Sequence, residues 1–155
     1  MEDILRFLKQ IRTKRRELGV LQRTMAELRF MLLPSGIRYD KDKVQTSPED
    51  KMSELVEELM SIESQEQMQI VRLKADLDKV ETLIGAMPTP EYRELIRLRY
   101  VAGGLKPLTW KQIAEQTGYS EDHVRGKMHG KAINEARKVW VDLSKENTPE
   151  HKIFL

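Results

Sequence analysis

The chain has 155 residues, 39% of them hydrophobic and 34% charged, with a formal net charge of +2 and no cysteine. That length allows one or two small domains with a core, and the lack of cysteine excludes a disulfide framework or a thiolate site and fits a reducing compartment. No apolar run approaches the roughly 20 residues that span a bilayer, and charges within the first six residues are unlike a secretory signal, so a cytoplasmic protein without membrane contact is expected.

Aromatic residues make up only 6% of the chain, Gly and Pro are sparse, and strong helix formers dominate, so an all-α fold is expected. The small net charge hides a segregation. Residues 1–33 hold 8 basic and 4 acidic side chains, 34–90 hold 7 and 12, 91–140 hold 10 and 6, and 141–155 hold 2 and 3. A basic C-terminal module beside an acidic middle suggests that part of the molecule meets a polyanion.

From Ile4 the apolar residues follow a heptad, with Ile4, Ile11, Leu18, Met25 and Leu32 at one seam position, Phe7, Leu21 and Leu28 at the other, and Lys14 as the break. This predicts a long helix over about 2–33 packed along a partner helix. The run Arg12, Lys14, Arg15, Arg16 reads as a solvated face or as partners for acidic helices, ahead of a phosphate-binding patch. Pro34-Ser35-Gly36 stops the helix, and a polar loop runs to Thr46. Ser47 as N-cap, Pro48 at the first helical position and Glu49-Asp50 against the dipole start a second helix over about 48–85. Its apolar positions are Met52, Leu55, Leu59 and Ile62, then, after a stutter near Glu66, Ile70, Leu73, Leu77, Val80 and Ile84. A basic helix and an acidic one joined by a loop predict an antiparallel hairpin over 1–86, and the same amphipathic faces leave a homodimer open. Met25, Met31, Met52, Met60 and Met68 read as core filler.

Gly85 to Pro90 marks a boundary, with 87–90 as linker, 91–141 as a C-terminal domain and 142–155 as a tail. Glu91 to Val101 predicts a helix with Leu95, Leu98 and Tyr92 inward, closed by Ala102-Gly103-Gly104. Leu108 to Ala132 then spells two helices around a tight turn: Thr109 with Gln112 as a capping box, Ile113 and Ala114 inward, Gly118 at a left-handed turn, and Ser120 capping the next helix. Counted from Trp110, helix-turn-helix positions 4, 5, 9 and 15 fall on Ile113, Ala114, Gly118 and Val124. Position 18, usually apolar, falls on Lys127 with Met128 beside it, which leaves the phase of the second helix open after Gly126.

In a helix-turn-helix this second helix is the one that enters the major groove, so Ser120, Glu121, Asp122, His123, Arg125, Gly126 and Lys127 are the candidates for DNA contact. Arg125 suits guanine, because its fork can bond O6 and N7 together; His123 and Lys127 suit phosphate or a base edge. Glu121 and Asp122 fit the helix dipole better than a cytosine amino group. Thr109, Lys111 and Gln112 would approach the backbone from a helix N-terminus, and Lys131, Arg137 and Lys138 would add sequence-independent attraction. His123 and His129 are six apart and lack companions, so with His151 they make no metal site; Ser120 with His123 has nothing to orient a base. No cofactor and no enzymatic activity are expected.

The segment Tyr92 to Tyr100, Leu108 to Ala114, Gly118-Tyr119-Ser120 and His129 to Ala132 resembles the sigma factor region 4-like helix-turn-helix of phage and prophage transcriptional regulators of the ArpU and RinA type. The hairpin, with Asp42 to Ser47 before its second helix, resembles the same family. The chain carries one residue more between Val124 and His129 than that pattern. The resemblance implies a DNA-binding regulator of phage late genes in a bacterial host cell, with double-stranded DNA as partner and RNA polymerase as a second one. The lack of the other sigma regions implies that it is not a complete sigma factor. Two alternatives stand beside it: a small terminase-like packaging subunit, whose DNA module usually comes first rather than last, and a sigma-like module that binds polymerase without reading DNA.

Overall fold

The computed structural model describes residues 2–34 and 48–146, and among these every element is a helix. Helix α1 spans Ile4–Met31 and α2 spans Pro48–Ala86. Helix α3 spans Pro90–Ile96 and continues as a π-helical turn over Arg97–Val101, α4 spans Trp110–Thr117, and α5 runs through Glu121–His123, a second π turn over Val124–Met128, and His129–Glu146. The all-α expectation is met. The Ser47 cap, the loop through Thr46, and the tail from residue 147, with His151, lie outside the described residues; α5 itself extends into the stretch read as tail.

Two compact units are present, Met1–Arg16 with Leu73–Leu155, and Glu17–Arg72. The first unit therefore does not begin at the Gly85–Pro90 break. The reason lies in its apolar interior, where Ile4, Leu8 and Ile11 of α1 and Val80, Leu83 and Ile84 of α2 are enclosed, along with Leu95, Ile96, Ile113, Val124, Ala132 and Ala136. Burying a Val, Leu or Ile side chain stabilises by about 1.5–3 kcal/mol, so both α1 and α2 contribute to holding the C-terminal helices. Lys14 pairs with Asp76 at 2.7 Å. At the α1 N-terminus Phe7 stacks on Trp140 at 5.1 Å, and Asp3 pairs with Arg137 at 2.9 Å.

In the second unit, Arg29 of α1 meets Glu63 of α2 at 3.0 Å. Lys14–Asp76 and Arg29–Glu63 each join a basic side chain of α1 to an acidic one of α2, in keeping with the charge segregation. The seam residues Leu18, Met25 and Leu28 are buried here, but Met52 and Ile70 are exposed. Of the five methionines read as core filler only Met25 is buried; Met31, Met52, Met60 and Met68 are exposed, while Met87 and Met128 fill core positions in the first unit. Val20, Phe30, Met60, Met68 and Val71 are each more than half exposed, all of them in this second unit.

Candidate nucleic-acid interface

The segment from the start of α4 to the start of α5 is held at three points. Thr109 Oγ1 accepts from the Gln112 amide at 3.2 Å while Gln112 Oε1 accepts from the Thr109 amide at 2.9 Å, so the capping box is formed in both directions. Gly118 adopts φ 80°, the left-handed conformation that a Cβ disfavours, and its amide closes α4 on the Ala114 carbonyl at 2.9 Å. Ser120 caps α5, its Oγ accepting from the His123 amide at 3.2 Å. Each such cap is worth about 1 kcal/mol. Ile113 and Val124 are fully enclosed; Ala114 is only partly buried.

The second π turn answers the question of phase. A π turn inserts one residue into a helix and rotates the residues beyond it about the axis. Val124 and Met128 are both buried, whereas Lys127 is exposed. Met128 thus takes the inward place that Lys127 occupies in a regular count.

Thr109, Lys111, Gln112, Ser120, Glu121, Asp122, Arg125, Gly126, Lys127 and Lys131 are all exposed. His123 is half-buried beside Tyr119, ring centroids 5.1 Å apart. The outward side of the first turns of α5 is therefore polar and uncovered. Arg137 differs from the expectation of a free cation, because its Nε donates to Asp3 and its Nη1 to Asn134; Lys138 is exposed.

Sequence reasoning missed the residues behind this face. Arg12 and Arg15 are neither a solvated face nor partners of acidic side chains; both are buried. Arg15 donates from Nε to the Gly104 carbonyl at 2.7 Å, from Nη1 to Tyr100 at 2.9 Å and from Nη2 to Ala102 at 2.6 Å. Arg12 Nη1 donates to the carbonyls of Arg99 at 2.8 Å and Leu108 at 3.0 Å. The last carbonyls of a helix have no partner within it, and a planar fork of donors suits several at once. The two α1 arginines thus close the end of α3 and fix the loop that leads to α4. Gly103 in that loop has φ 90°, and a Cβ there would stand 2.3 Å from the Lys106 carbonyl oxygen, so glycine is required. Thr89, before α3, donates through its hydroxyl to Glu135 of α5.

Arg99 lies over the Trp110 ring, 4.0 Å from its centroid, a cation–π contact. His129 meets Trp110 edge-on at 4.9 Å, and its Nε2 is 2.7 Å from the Tyr100 hydroxyl, with which it is hydrogen-bonded. Burial, reinforced by the nearby charges of Arg99 and Lys9, lowers the His129 pKa to about 4, so the ring is neutral at pH 7. Burial likewise raises the Tyr100 pKa. His129 is thus occupied by structural contacts, and no group of three or more His, Cys, Asp or Glu poised for a metal exists among the described residues. Among the same residues no helix is long and apolar enough to cross a membrane.

Comparison of the chain with protein families, with curated proteins and with solved structures returned no match.

Proposed function

We propose that this chain is a sequence-specific DNA-binding transcriptional regulator that lays the first turns of α5 in the major groove, acting in the bacterial cytoplasm as an activator of phage late genes. The observation that carries the reading is the uncovered polar face after Ser120: Arg125, Gly126 and Lys127 point outward from a helix whose inner side is pinned by Val124 and Met128. Arg125 makes no ion pair among the described residues, so its fork is available for a guanine edge. Thr109, Lys111 and Gln112 flank the N-terminus of α4, whose amides and dipole favour a phosphate. Selecting duplexes from a random library and measuring their affinity tests the reading, which requires an enriched motif.

A second copy of the chain is the partner we propose for the exposed apolar side chains of the Glu17–Arg72 unit, among them Phe30, Met60 and Val71. A dimer would give two recognition helices and a motif made of two half-sites. Light scattering on the eluting protein distinguishes a dimer from a monomer and from the ring of a terminase-like subunit. A module that binds RNA polymerase without reading DNA would retain polymerase on a column yet enrich no motif.

A further inference from the structure

A cleft of about 440 Å³ opens beside the helix-turn-helix, within the unit that contains it. Five of the side chains that line it are cations, Lys9, Arg12 and Arg16 of α1, Arg99 of α3 and Arg125 of α5, and no carboxylate lines it. The volume falls within the range of small-ligand sites. Arg12 and Arg99 are anchored to backbone carbonyls, Arg99 also to the Trp110 face, and their positions are therefore fixed before anything binds. Lys9, Arg16 and Arg125 have no acidic partner among the described residues.

Such a cluster is electrostatically incomplete. Burial lowers the Arg12 pKa to about 10, and the like charges of Arg99 and Arg16 push in the same direction. Arg99 is lowered as well, by burial first, with Arg16 and Arg125 adding to it. The Nε of Arg99 is enclosed without a hydrogen-bond partner among the described residues. An anion with several acceptor oxygens removes the repulsion and meets the guanidinium forks, which match phosphate geometry.

We infer that this cleft is a phosphate-binding site, formed by Lys9, Arg12, Arg16, Arg99 and Arg125 for a ligand that carries a phosphate group. A free phosphorylated small molecule and a phosphate of the DNA backbone share that chemistry. Arg125 is shared with the base-reading face proposed above, but the site is tested through Lys9 and Arg16 and so stands or falls separately from that reading.

Pyrophosphate is the probe, titrated into the full chain at low ionic strength by calorimetry and by thermal unfolding. Lys9 and Arg16 are exposed and hold no part of the fold, so the variant Lys9→Gln/Arg16→Gln keeps the helical circular dichroism spectrum, and Lys74→Gln/Lys79→Gln, elsewhere on α2, matches its loss of charge. Wild type and the α2 variant are expected to bind and to gain melting temperature, and the cleft variant to bind about tenfold or more weakly, as loss of charge-assisted hydrogen bonds implies. No binding by folded wild type, or equal weakening in both variants, would overturn the site. Competition then separates the sources: random-sequence duplex displaces pyrophosphate if the cleft takes a backbone phosphate, and pyrophosphate stays bound in the presence of duplex if it takes a free ligand. Either result supports the phosphate site, and an enriched DNA motif is not needed for it.

Discussion

Arg15 is fully enclosed, and it serves three carbonyls, those of Tyr100, Ala102 and Gly104. Replacing it with Met fills the volume but leaves those oxygens without partners, and Lys presents one nitrogen where three are needed. Arg15→Met is expected to destabilise the fold by roughly 2–4 kcal/mol in a denaturant titration, with Arg15→Lys offering little rescue. His129 provides a pH dependence whose sign is determined by its lowered pKa. The fold holds the imidazole neutral, so its contribution is complete above the ordinary value of 6.5 and is lost as pH falls toward about 4. Between pH 7 and 5 the melting temperature of wild type is expected to fall more than that of His129→Gln; parallel curves would mean that His129 protonates freely in the folded protein.

Among the elements, the π turn within α5 sets which residues face outward. Gly126 lies in it with a helical backbone and open space where a Cβ would be. Gly126→Ala is expected to stabilise the helix by about 0.5–1 kcal/mol, and loss of DNA affinity despite that gain would place the Gly126 backbone against the groove. Gly103→Ala should do the opposite, since φ 90° and the Lys106 carbonyl both oppose a Cβ, and a fall of at least about 2 kcal/mol in unfolding free energy is expected. The turn chemistry is legible in the sequence because it is local: Thr109 with Gln112, Gly118 and Ser120 each act within four residues. The role of Arg15 is not, because it depends on residues more than eighty positions away. Yet a signal exists. Ile4, Leu8, Ile11, Arg15 and Leu18 form one helical stripe at spacings of four and three, and an arginine on an apolar stripe needs buried acceptors. The displacement of Met128 for Lys127 is readable only as a misfit at position 18, since a π turn leaves no composition signature.

At the scale of the whole chain, the charge pattern acquires a division of labour. The basic residues of α1 divide: Arg12 and Arg15 are buried and close the end of α3, Lys14 pairs with Asp76, and the exposed Lys9 and Arg16 line the cleft with Arg12, Arg99 and Arg125. The helix that reads as a simple scaffold thus supplies part of a candidate binding surface. The methionines of the Glu17–Arg72 unit depart from the core-filler expectation for a related reason: heptad periodicity shows that a face is amphipathic, not which partner covers it. If a second copy does, light scattering should return twice the chain mass, and Phe30→Glu with Met60→Glu should return the monomer without loss of the first unit's melting transition. The most direct measurement remains the affinity of wild type and two variants for a duplex selected from a random library and for a scrambled one. Arg125→Ala is expected to cost about 1–3 kcal/mol on the selected duplex and to relax the preference at one position, whereas Lys138→Ala weakens both duplexes evenly. A selection that enriches no motif, or an Arg125→Ala variant with unchanged affinity and preference, would contradict base reading by α5.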